Sequence, residues 1–162
     1  MLIRDGAVVD DNFNALADNA PDPGGAILVS LKRFRTDTDA LLRRDAPLGV
    51  VLETSDSPDE LGEHVQKLAL IVLSIPHFKD GRGFSWARHL RTRLGFNGEI
   101  RVTGHVLRDQ IAFYSRVGVN AFELSQNLSL EDFNAALKEI SAVYQPSVDN
   151  RETIHDLRAK RS

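Results

Sequence analysis

From Ala26 onward, short apolar runs rich in β-branched residues alternate with segments whose apolar positions recur every three or four residues. No other feature constrains the fold as much, because this alternation is the signature of βα units built around a parallel sheet. Strands are predicted at Ala26 to Leu31, Gly49 to Glu53, Leu70 to Ile75, Glu99 to Thr103 and Ala121 to Leu124, each followed by a helix. The expected class is therefore α/β, with about five βα units and a mainly parallel sheet. Two windings satisfy the pattern, a partial TIM-like barrel and an open doubly wound sheet. Leu70-Ile-Val-Leu-Ser-Ile75 is apolar almost throughout, as a strand covered on both faces must be, and is placed at the centre. Ser57-Pro-Asp-Glu60 and Ser129-Leu-Glu-Asp132 carry helix-starting chemistry. Leu130, Phe133, Leu137, Ile140 and Tyr144 form the core stripe of a last helix that Pro146 ends.

Ahead of this pattern, Asp5-Gly6 between two apolar stretches predicts a tight hairpin, and Asp10 to Gly25 reads as an irregular connection. The chain thus divides into a hairpin and connection (1–25), a single α/β domain (26–146) and a charged tail (147–162). The tail is a mobile end or a short helix docking on a partner.

Composition narrows the chemistry. At 162 residues the chain can bury a core without staples. It has no cysteine, which removes disulfides, thiolate metal sites, iron–sulfur ligation and dithiol redox chemistry. The longest apolar run, Leu68 to Ile75, is too short to cross a membrane, and Met1-Leu-Ile-Arg-Asp5 lacks a signal-peptide core. A soluble, cytoplasmic domain is expected. Twenty Lys and Arg against 23 Asp and Glu give a net charge of -3, which recommends neither nucleic acid nor a membrane surface.

In either winding, ligands are expected where the strands end and the helices begin. The richest such segment is Pro76-His-Phe-Lys-Asp-Gly-Arg-Gly-Phe-Ser85. Gly81 and Gly83 permit a sharp turn that exposes backbone N–H groups, and these groups, the start of the next helix, Arg82 and Ser85 suit a small anion. Six basic residues against two acidic ones between His77 and Arg101 give that stretch a charge of +4, leaving -7 for the remainder. This distribution fits an anionic small molecule or an acidic partner surface; a tight turn followed by arginines on a solvated face explains it equally.

Other chemistries find less support. Trp86 stands where a dinucleotide fingerprint needs its third glycine, no Gly-Lys-Ser or Gly-Lys-Thr occurs, and no cofactor is expected. His77 and His105 with Glu53 or Glu123 form a conceivable metal set, but nothing in the spacing makes them converge, and no metal is expected. Arg101, in mid-strand, points into a covered layer. It either pairs with Glu123 or Glu53, or clamps a bound oxyanion. Asp109 follows Arg108 in the first turn of the next helix, where it serves the helix dipole or acts in acid–base chemistry.

The run Phe78-Lys-Asp-Gly-Arg-Gly-Phe-Ser-x-Ala-Arg88, followed by Gly98-Glu-Ile-Arg101, Gly104-x-Val-Leu-Arg-Asp-Gln110 and Gly118-x-x-Ala-Phe-Glu123, resembles a bacterial family of unknown function. Its members are commonly encoded beside assimilatory sulfite reductase and labelled "probable oxidoreductase involved in sulfite reduction". The resemblance implies a place in sulfate assimilation, with sulfite reductase as a partner. It falls on Asp80, Gly81, Arg82, Gly83, Ser85, Arg88, Arg101 and Arg108 as the anion-binding set, on Asp109 and Glu123 as the acid–base candidates, and on Gln110. The expected function is an accessory protein of sulfite reduction that binds a small anion or docks on the reductase. The alternative is an enzyme acting on a small anionic sulfur or carboxylate substrate, an oxidoreductase if the family label holds. Exposed sheet edges add the expectation of a homodimer.

Overall fold

A computed structural model describes residues 1–124, 128–140, 142–149 and 151–160. All five predicted strands are present: β4 (Ile27–Ser30), β5 (Leu48–Leu52), β6 (Leu70–Ile75), β7 (Glu99–Gly104) and β8 (Ala121–Glu123). They lie side by side in chain order, each parallel to the next, with β6 in the middle. The order never reverses, so there is no switch point. The winding is barrel-like, and the doubly wound alternative falls away.

The predicted hairpin, β1 (Leu2–Arg4) and β2 (Ala7–Val9), turns at Asp5-Gly6 with both residues at positive φ. It extends the sheet, because β1 pairs antiparallel with β8. At the opposite edge a two-residue strand inside the predicted connection, β3 (Asn14–Ala15), pairs parallel with β4. The eight-stranded order is β2-β1-β8-β7-β6-β5-β4-β3.

This arrangement forces curvature. Seven gaps of roughly 4.8 Å would set the edges of a flat sheet about 34 Å apart, whereas the five residue steps from Val9 to Asn14 span at most about 18 Å. The sheet therefore curls into a half-barrel, and residues 10–13 cross its inner face.

Helices line the outer face: α1 (Leu31–Thr36), α2 (Thr38–Leu42), α3 (Arg82–Thr92), α4 (Ile111–Arg116) and α5 (Leu130–Glu139). Alternate strand residues, including Val50, Leu52, Ile71, Leu73, Ile75, Ile100, Val102 and Phe122, pack against Ala87, Leu90, Tyr114, Phe133 and Ala136 to make the core. After β5 the connection is a 3-10 segment, Pro58–Lys67, in place of an α-helix. Ser57 and Glu60 form the expected capping box, but Gly62 (φ 58°, ψ -146°) breaks the helix.

The last predicted helix is shorter than its apolar stripe suggested. It ends at Glu139; Ile140 is extended (φ -99°, ψ 95°) and gives its carbonyl to Arg151, while Tyr144 is 83% exposed. The tail folds back on the body. Asp149 pairs with Arg116 at 3.2 Å, Ser147 Oγ donates to the Arg116 carbonyl, and a short helix, α6 (Ile154–Ala159), follows a Val143–Thr153 bridge. Among the described residues no helix is long and apolar enough to cross a membrane.

Candidate functional site

The segments after β5, β6 and β7 meet at the C-terminal edge of the sheet. Asp80 Oδ1 accepts from the Arg82 backbone N–H (3.1 Å) and Nε (2.9 Å), and its Oδ2 from Nη2 (2.7 Å). Arg82 Nη1 donates to the carbonyl of Thr54, so one guanidinium clasps the turn after β6 to the turn after β5. The hydrogen bonds from Arg82, side chain first and then backbone, hold the Asp80 carboxyl below its ordinary range, and Asp80 in turn raises Arg82. On the other side Gln110 Nε2 donates to the Phe78 carbonyl (2.8 Å), and Phe78 meets His105 edge-on at 5.3 Å. Gly104 ends β7 at φ +96°, where a Cβ would stand 2.3 Å from the Ile75 carbonyl oxygen, a position only glycine fits.

The helix starts from Gly81, which offers no side-chain cap, and Ser85 lies exposed one turn in. Asp80 thus occupies the position at the start of α3 that suits an anion. Gly83 is buried under this first turn: a Cβ there would stand 2.7 Å from Ile75 Cδ1 and 2.9 Å from Tyr114 Oη.

Arg101 is committed elsewhere. On the inner face, 2% exposed, it bonds Glu99 through Nε and Nη2 (both 2.9 Å) and Asp11 through Nη1 (2.7 Å); Arg4 completes the cluster at 3.2 Å from Glu99. Its partners are not the expected Glu53 or Glu123. Glu99 sits two residues earlier on the same strand face, and Asp11 arrives on the segment crossing the half-barrel. Burial works against the charge of Arg101, but these two carboxylates more than offset it and raise its pKa.

The remaining candidates are dispersed. Arg108 pairs with Glu139 of α5 (3.1 Å), and Asp109 lines a groove of about 230 Å³ between α4 and α5 with Ala112, Phe113 and Ile140. Glu123 is exposed at the end of β8, in ladder register with Leu2. No hydrogen bond or ion pair joins Asp109 to Glu123 among the described residues, and Glu123 does not line the groove that holds Asp109. No group of three or more His, Asp or Glu side chains there is arranged to hold a metal.

The three arginines of α3 and Arg93 at its C-cap divide into two kinds. Arg82 is the clasp. Arg91 turns inward and donates to the carbonyls of Gly118 (2.9 Å), Phe96 (2.6 Å) and Gly98 (2.8 Å), while burial lowers its pKa. Arg88 and Arg93 are exposed and without a hydrogen-bonding or ion-pair partner among the described residues. With Ser85, His89 and Thr92 they line one groove of about 440 Å³ on the outer face of the helix. A second groove continues from Arg88 and Thr92 to Pro146, Ser147 and Val148. His89 is held at the margin by Asp59 (2.6 Å).

Sequence reasoning did not single out Tyr114, Asp11 or Thr54. Tyr114 had one available sign, the glycine at position 83: in a helix interior alanine is the better residue, so a glycine there signals close approach by a neighbour. The contacts of Asp11 and the Thr54 carbonyl arise from chain crossings and leave no local pattern.

Fold and surface together define an α/β half-barrel protein with a pinned strand-end turn and a basic groove on one outer helix. A family model described as "Bacterial protein of unknown function (DUF934)" matches residues 49–155, and the chain belongs to that family. The match takes in β5 from its second residue, β6 to β8 and all of α3, α4 and α5. No curated protein matches the chain.

Proposed function

We propose that this protein is an accessory factor of assimilatory sulfite reduction that docks on an acidic face of sulfite reductase through the outer face of α3. The observation that carries the reading is the pair Arg88 and Arg93, two uncompensated cations on one groove of a protein whose net charge is -3. Unpaired arginines lose no internal partner on binding, and Arg matches carboxylates with a planar fork of donors. The acidic remainder of the surface repels an acidic partner elsewhere, which leaves one orientation favoured. The link to sulfite reductase comes from the sequence resemblance that spans Pro76 to Glu123.

The enzyme reading draws less from the geometry. Arg101, a proposed oxyanion clamp, is saturated by Glu99 with Asp11, and the acid–base pair lies apart. The docking reading is tested by light scattering and pull-down with the matching reductase across a salt series. Complex formation that weakens as salt rises is expected, since exposed charges are screened. A complex insensitive to salt, or none at low salt, overturns it.

A further inference from the structure

Tyr114, in α4, is fully buried, and its ring stacks on Phe84 of α3 with centroids 3.9 Å apart and planes 13° from parallel. Its hydroxyl has no hydrogen-bond partner among the described residues. A phenylalanine would keep the stacking without burying an unpaired polar atom, so the oxygen needs a reason to be there. The hydroxyl is aimed at the first turn of α3, where it touches the space a Gly83 side chain would fill. In that turn the N–H of Arg82 is taken by Asp80 and that of Phe84 by the Gly81 carbonyl, and the N–H of Gly83 lies between them. α3 has 11 residues, enough to present a helix N-terminus to an anion.

We infer that the Tyr114 hydroxyl and the first-turn N–H groups of α3 form a site for a small oxyanion, with the Asp80 carboxylate as the internal stand-in that the ligand displaces. Asp80 already occupies the donors of Arg82 as an oxyanion group would, through two oxygens on Nε, Nη2 and the backbone N–H. Swinging its carboxylate aside removes the like charge and opens the first turn, with Gly83 and the hydroxyl beneath it. Because Gly83 carries no side chain, the hydroxyl can lie this close to the turn. The recognising chemistry is a compact group with two or more anionic oxygens: carboxylate, sulfate or phosphate. This site is separate from the Arg88–Arg93 groove and does not depend on the docking reading.

The test is calorimetric titration of the full chain with formate, sulfate and phosphate in turn at low salt, with amide NMR to locate the site. At least one anion is expected to bind saturably at 1:1 and to shift the Gly81 and Gly83 amides. Tyr114→Phe, which removes one oxygen, is expected to keep the fold and bind roughly tenfold to a hundredfold more weakly, the range that a hydrogen bond to a charged group is worth. Asp80→Asn, which removes the competing charge, is expected to bind more tightly. The inference is overturned if no anion binds saturably, if Tyr114→Phe binds as the wild type does, or if the affected amides belong to Arg88 and Arg93. The last two outcomes would leave the hydroxyl as an internal water site only, and the docking reading would stand untouched by any of the three.

Discussion

Replacing Arg101 by methionine probes what holds the N-terminal segment across the half-barrel. The Arg101 side chain is 3% exposed and the Glu99 side chain 8%, whereas Asp11 and Arg4 keep about two-fifths of their surface in water. Methionine fills most of the volume but leaves Glu99 buried with Arg4 as its one cation, at 3.2 Å. Removing one member of a buried ion cluster costs about 3–5 kcal/mol, which for a chain of this size lowers Tm by roughly 6–20 °C. Arg101→Met/Glu99→Met, in which no charge stays buried, is expected to recover most of the loss, because apolar replacement of a whole pair is close to neutral. Asp11→Asn, at the wet end, should cost no more than about 1 kcal/mol. Thermal denaturation by circular dichroism gives the three values, and amide exchange in residues 10–16 shows whether the crossing segment loosens first. A loss below about 1 kcal/mol in Arg101→Met, or a double variant no better than the single one, would refute the reasoning.

Gly104→Ala meets both a positive φ and a Cβ 2.3 Å from the Ile75 carbonyl oxygen, so a loss of about 2–5 kcal/mol is expected. Gly6→Ala, equally positive in φ but with open space around it, should lose about 1 kcal/mol; equal losses on chemical denaturation would contradict the contact argument. Asp80, whose pKa is lowered by Arg82, contributes stability that is present above the unfolded carboxyl range and fades as pH falls through its depressed folded value. A carboxyl NMR titration should therefore give a midpoint below 3.8, and one at or above that value would deny the clasp. Burial pushes the Tyr114 phenol up to about 12, so its contribution is intact below the unfolded value near 10 and is lost as pH rises toward 12. Ultraviolet titration of Tyr144→Phe, which isolates Tyr114, should show no phenolate until that range.

The parallel strands were legible because β6 and its neighbours are buried on at least one face, and burial imposes apolar, β-branched runs that survive in a linear reading. Their order was not legible, since loops of similar length serve both windings. β3 went unseen because Asn14 and Ala15 contribute only backbone to the sheet edge. Tyr144 joined the predicted core stripe by spacing alone, yet the helix stops at Glu139, where Ile140 turns extended. At the site, the glycine turn and Arg82 lay where a strand end was expected, because that placement follows from local order. The assignment of each arginine did not follow, since Arg82, Arg88, Arg91 and Arg93 look alike in sequence and are separated only by what the fold brings near: the Thr54 carbonyl for Arg82, three carbonyls for Arg91, and no polar partner among the described residues for Arg88 or Arg93. The segment 125–127, part of the predicted ligand edge after β8, lies outside the described residues.

The docking account rests on Arg88 and Arg93, and binding of purified sulfite reductase to Arg88→Ala/Arg93→Ala tests it most directly. Both residues are exposed, one on α3 and one at its C-cap, and have no hydrogen-bonding or ion-pair partner among the described residues, so the double variant should melt as the wild type does. The account predicts that its affinity for the reductase at low salt falls at least about tenfold, with a smaller dependence on salt than the wild type shows. A double variant that binds as tightly as the wild type, with the same salt dependence, would contradict it.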